Sequence, residues 1–184
     1  MTTYEATNKS EAIHDALEHI SAGRSQEDIW QGFAYSTGKL KQGLTGSSTT
    51  NFVLRNPAGS GKIVFATSRV NSTGKVYTYK QTGVTIDTSG TTQPIRNRRL
   101  SDGASVCDAQ FEPVTSGGDQ WSKKVAGAGD GPPQQLAPGS VTDIGVMLEP
   151  GDTVEIVIEN GTANTIDVNT DIDYLEVPVD NYQA

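Results

Sequence analysis

Pro150-Gly151-Asp152-Thr153-Val154-Glu155-Ile156-Val157-Ile158-Glu159-Asn160-Gly161 decides the fold class. Val154, Ile156 and Ile158 alternate with Thr153, Glu155, Val157 and Glu159. A period of two predicts a β-strand with one buried face and one mostly wet face. Both ends are punctuated: Pro150-Gly151-Asp152 and Asn160-Gly161 supply the preset and positive φ angles that tight turns need.

Outward from this stretch the same period recurs. Strands are expected near 29–36, 39–45, 49–55, 61–69, 75–81, 83–87, 104–111, 141–148, 164–168 and 171–179, besides 152–159 itself. Turn chemistry separates them at Asn56-Pro57 with Gly59 and Gly61, and at Ser72-Thr73-Gly74. Eight or more short strands with no helical pattern after residue 25 predict an all-β fold, a single jelly-roll barrel or sandwich. One helix precedes it. Ser10 suits an N-cap, Ile13, Ala16, Leu17 and Ile20 make one apolar stripe at i, i+3, i+4 and i+7, and Gly23 is a stop signal. About three turns are marginal alone, so this helix needs a surface on its own barrel or on a neighbour.

The expected organisation is an arm with a short helix over 1–26 and one barrel over 27–184. Residues 112–140, with six Gly and four Pro, read as a long loop, and Trp121 within it as an anchor that packs on something. The length of 184 residues suits one domain with a real core.

A net charge of −8 argues against direct nucleic-acid binding, which wants a basic surface. The charge is unevenly spread. Residues 55–99 hold eight bases and one acid, whereas 141–184 hold ten acids and no base. Two readings stay open: ordinary charged outer faces mixed by interleaved strands, or opposite poles that steer copies together. No run is long and apolar enough to cross a bilayer as a helix. The first ten residues, MTTYEATNKS, lack the pattern of a secretory signal, so synthesis in the cytoplasm is expected.

Several motifs fail on inspection. Asn56–Lys62 (NPAGSGK) lacks the first glycine of a phosphate loop and has Ile63 where a Ser or Thr should follow the Lys. Asp167–Asp173 (DVNTDID) begins like a calcium loop, but Ile172 takes the required glycine position and Pro178 the terminal Glu. Strands with acids alternating outward are the better account. His14 and His19 are the only histidines and lie on different faces of the helix, so they share no metal. No nucleophile elbow accompanies them. The expectation is a non-enzyme with no cofactor, no metal and no small-molecule substrate. The sequons at Asn8, Asn71 and Asn160 read as chance matches.

Met147–Asn160 (MLEPGDTVEIVIEN), leading to Asp173–Val179 (DYLEVPV), resembles the last strands of a viral jelly roll. With the leading helix and acidic balance, the chain resembles the smaller major capsid protein of haloarchaeal icosahedral viruses with an internal membrane, the sphaerolipovirus-like vertical single-β-barrel lineage. The resemblance covers about residues 27–179. It implies an upright barrel in the virion, a structural protein assembling with copies of itself and a larger sister capsid protein, in a shell over a lipid membrane. The alternative is a carbohydrate- or receptor-binding β-sandwich module of a viral spike or fibre.

The residues expected at interfaces are Ile13, Leu17, Ile20, Arg96, Arg98, Arg99 and Trp121. Cys107 is the one cysteine. Alternation puts it with Ala109 and Phe111 on an apolar core face. Its nearness to Pro113 and the long loop also makes it a candidate for an intermolecular disulfide at a barrel rim of an extracellular virion.

Overall fold

The computed structural model describes residues 33–98, 103–126, 139–142 and 145–179. They form twelve strands: β1 (Ala34–Leu44), β2 (Thr49–Arg55), β3 (Lys62–Ser72), β4 (Val76–Thr88), β5 (Thr91–Thr92), β6 (Arg96–Asn97), β7 (Asp108–Phe111), β8 (Val114–Ala126), β9 (Gly139–Thr142), β10 (Val146–Leu148), β11 (Thr153–Asn160) and β12 (Ile166–Pro178). One sheet has the order β10-β3-β12-β1-β6, with β9 also on β3; the other runs β5-β7-β2-β11-β4-β8. Every pairing is antiparallel. The expected helix, with Ile13, Leu17 and Ile20, lies outside the described residues, as do both histidines and Asn8.

The core lies between the two sheets. Alternation supplies it: Ile166, Val168, Ile172 and Tyr174 of β12, with Val64, Ala66 and Val70 of β3 beside them, face Val154, Ile156 and Ile158 of β11 and Phe52 and Leu54 of β2 in one buried cluster. Register enforces the pattern. Val154, Ile156 and Ile158 stand directly across from Leu54, Phe52 and Thr50, and opposite residues of an antiparallel pair share a face.

Several expectations change. Residues 112–140 are not a loop throughout, because β8 runs through Val114–Ala126 as the antiparallel partner of β4. The segments 75–81 and 83–87 are one strand, as are 164–168 with 171–179, and β1 likewise joins two expected pieces. Gly83, the first residue of the second expected piece, has φ +72 inside β4 and faces Gly117 (φ +69) and Gly118 (φ +89) of β8 near a register shift. These glycines bend the β4–β8 ladder without ending it.

The bend has a consequence. Beyond it, the Thr115 hydroxyl donates to Glu155 Oε1 at 2.9 Å, and Asn51 Nδ2 donates to the Pro113 carbonyl and to Glu155 Oε1. This end of β8 therefore lies over the outer face of β2 and β11. Val53 (0% exposed) and Glu155 (3%) are buried there, so the outer face expected to be wet on β11 is partly covered.

Buried asparagines close two turns. Asn56 Nδ2 donates to the carbonyls of Lys62 and Leu148, which makes NPAGSGK a strand connection with Gly59 and Gly61 at positive φ. Asn160 Nδ2 donates to the carbonyls of Leu44, Thr45 and Asn164, while its Oδ1 accepts from the Thr162 amide and hydroxyl.

Candidate functional site

The basic and acidic stretches are neighbours in the fold. Acidic β12 lies between β1 and β3, and β11 lies between β2 and β4. Arg69 stands across from Asp171, and Arg98 Nη1 meets Asp173 Oδ1 at 3.3 Å. The reading of two opposite poles is corrected, because antiparallel pairing joins strands of opposite charge drawn from distant sequence. Burial raises the Asp171 carboxyl pKa, the Asn169 amide and Arg69 pull it down, and Asp173 adds to the rise; the net direction is up. Asp167, Asp171 and Asp173 alternate outward along an unbroken β12, as the strand reading of DVNTDID requires. No group of three or more metal-ligating side chains occurs among the described residues.

The expected interface residues are scattered. Arg96 is exposed in β6, across from Ser36 of β1. Arg98 is committed to Asp173, and its amide donates to the Ala34 carbonyl. Arg99 lies outside the described residues. Trp121 falls within β8 rather than a loop. Ile13, Leu17 and Ile20 lie outside the described residues.

Cys107 sits on the core face with Ala109 and Phe111, and all three are buried. The thiol is free and belongs to the main core cluster, the position that alternation with Ala109 and Phe111 gives it. Burial, with Glu176 and Asp108 nearby, pushes its pKa up to about 12, against smaller lowering by hydrogen bonds from Ser105 and Tyr174.

Around this thiol is a polar cluster that the sequence reading missed. Glu176, 2% exposed, faces inward because it continues the series Ile172 and Tyr174. Its Oε1 accepts from the Ser105 hydroxyl at 2.5 Å and from the Val106 amide at 3.0 Å. The Tyr174 hydroxyl lies 2.6 Å from Ser105 Oγ, which also accepts from the Cys107 amide at 2.9 Å. The Tyr35 ring stacks on Tyr174 with centroids 5.5 Å apart. Desolvation raises the Glu176 pKa, and the hydrogen bonds and Lys62 only partly offset it. Tyr174 is likewise raised, first by burial. The cluster ties residues 105–107 to β12 and holds a proton more tightly than an exposed carboxylate does. Counting by two from Ile166 would have placed Glu176 inside. The same count on β4, Val76-Thr78-Lys80, places Lys80 inside, where it is 3% exposed.

No protein-family model matches the chain, and no curated protein matches its sequence.

Proposed function

We propose that this chain is a jelly-roll capsid subunit of a virion, working by forming interfaces with copies of itself and with a larger sister capsid protein. The observation that carries the reading is the nesting of its long strands. β1 pairs with β12, β2 with β11, β3 with β10 and β4 with β8; in addition β12 pairs with β3 and β11 with β4. A long antiparallel hairpin rolled into two sheets produces this order, and jelly rolls of this kind build viral capsids as well as lectin and cupin domains. The capsid choice is supported by the resemblance of Met147–Asn160 and Asp173–Val179. Those residues form β10, its turn, β11 and the end of β12, where the resemblance expects the last strands.

Association on this reading uses exposed strand edges and side chains such as Arg96, Leu40 (50% exposed) and Val125 (54%). No chemical step is involved. The test is sedimentation and electron microscopy of the full chain, alone and co-expressed with a larger barrel protein encoded beside it. Closed oligomers that Arg96→Glu weakens without lowering the melting temperature are expected. A chain that stays monomeric at all concentrations and with that partner overturns the proposal, and glycan binding by such a monomer would favour the spike or fibre module.

A further inference from the structure

The outer face of the β10-β3-β12-β1 sheet is apolar at one end only. Met147, Phe65, Leu175 and Ala34 stand in one row across the four strands, and Ile63 lies across from Val177 in the next. Ile63 and Phe65 form a cluster with Met147, Val177 and Val179 that is separate from the main core. Further along the same face the rows turn polar: Thr67, Asp173 and Ser36, then Arg69, Asp171 and Gly38. Phe65 is 1% exposed and Ile63 6%, although both point away from the sandwich. Neighbours within a sheet flank a side chain and leave its top open, so this end of the face has a cover.

We infer that the cover is the chain's own N-terminal segment, laid on the patch through Ile13, Leu17 and Ile20. Thirty-two residues precede Phe33, and they enter the sheet at the patch: the Phe33 carbonyl accepts from Glu176 N, and Ala34 completes the apolar row. Dimensions agree. A helical stripe from position 13 to 20 spans about 10 Å, and four strands span about 14 Å. The connecting residues 21–32 reach at most about 40 Å, enough to return any part of the segment to this face. The main core is already filled from both sheets by described residues, so the stripe needs another apolar surface, and this patch is the one apolar cluster on this outer face among the described residues. This inference is independent of the capsid reading.

The test uses the full chain with Ile63→Cys as a reporter and the native Cys107, buried in the main core, as an internal control of folding. Thiol labelling followed by mass spectrometry gives both rates. With the native stripe, position 63 should label slowly, at a rate independent of protein concentration. With Ile13→Asp, Leu17→Asp and Ile20→Asp together it should label at least about tenfold faster, while Cys107 stays unreactive. If that triple variant exposes Cys107, the milder Leu17→Ser is read instead, and acceleration at 63 alone is again required. An unchanged rate at 63 overturns the inference. Protection that grows with protein concentration also overturns it, because a second copy would then supply the cover.

Discussion

The Ser105 hydroxyl and the Glu176 carboxylate, 71 positions apart, meet at 2.5 Å inside the sandwich. Ser105 Oγ has one proton to give and two further contacts, the Tyr174 hydroxyl and the Cys107 amide. With Ser105 donating to Glu176, Tyr174 and Cys107 donate to Ser105, and the hydroxyl's capacity is filled. An acid that strand alternation forces inward is thus satisfied by the one short segment that crosses its end of the core.

This acid should set a pH dependence. Below the ordinary carboxylate value Glu176 is protonated in both folded and unfolded chains, and it costs nothing. As pH rises from there to its raised folded value, only the unfolded chain ionises freely, so stability falls across that window and is level above it. Each unit of elevation corresponds to about 1.4 kcal/mol. Glu176→Gln keeps an acceptor for Ser105 and Val106 and should remove this dependence. Chemical denaturation from acid to neutral pH should show variant and wild type converging at the acid end, with the variant more stable at neutrality. Asp171 shifts in the same direction in both proteins and cancels. Glu176→Ala strands two donors and should cost about 1–3 kcal/mol at acid pH.

Cys107 should be inert in the folded protein. A thiol pushed up to about 12 has a thiolate fraction roughly a thousandfold below that of an unfolded cysteine at neutral pH, and burial adds a steric barrier. Labelling of native protein should therefore track unfolding, and it should be rapid in denaturant. Non-reducing gels should show the monomer band alone.

Asn160 should be among the costliest polar positions. Its amide serves three carbonyls, at 3.0, 3.1 and 2.7 Å, and it is 1% exposed. Asn160→Ala leaves those carbonyls to find other donors, and should destabilise by about 3 kcal/mol in urea unfolding. Asn160→Asp should be no better, because a carboxylate offers no donor to them. The sequon at this position is occupied by structure.

The bend in the β4–β8 pair makes a prediction about two glycines of different standing. A Cβ at Gly118 would lie 2.5 Å from Val84 Cγ1, and φ there is +89. At Gly83 φ is +72, but a Cβ would meet nothing within 4 Å. Gly83→Ala should cost about 1 kcal/mol, the backbone term alone. Gly118→Ala should cost clearly more, about 2–3 kcal/mol with the overpacking of Val84 added. Equal losses in thermal melts would show that contact with Val84 is not what fixes the bend.

The residues explain where the sequence reading held and where it failed. Cys107, Ala109 and Phe111 alternate with Asp108 and Gln110, and the first three are buried while Asp108 is exposed and Gln110 only partly covered. Asn56–Lys62 is a turn because Gly59 and Gly61 take positive φ. Residues 114–126 escape detection because Gly117 and Gly118 look like loop formers, yet in a long antiparallel pair they permit a bend between paired strands. Glu176 and Lys80 were missed for a different reason. A charged side chain suggests the outer face, and only the count by two along the whole strand places both inward.

What the sequence by itself determined was local: which residues extend, which face each side chain takes, and where the chain must turn. Steric limits on φ and ψ and the two-residue period act within a few positions, so they are written in neighbouring residues. Only the tertiary structure decided that acidic β12 lies between β1 and β3, that the end of β8 covers Glu155, and that Ser105 finds Glu176. Strands are joined by backbone N–H and C=O groups, which are the same at almost every residue. The choice of partner is made by the combined fit of two whole faces, and that is a property of the closed sandwich.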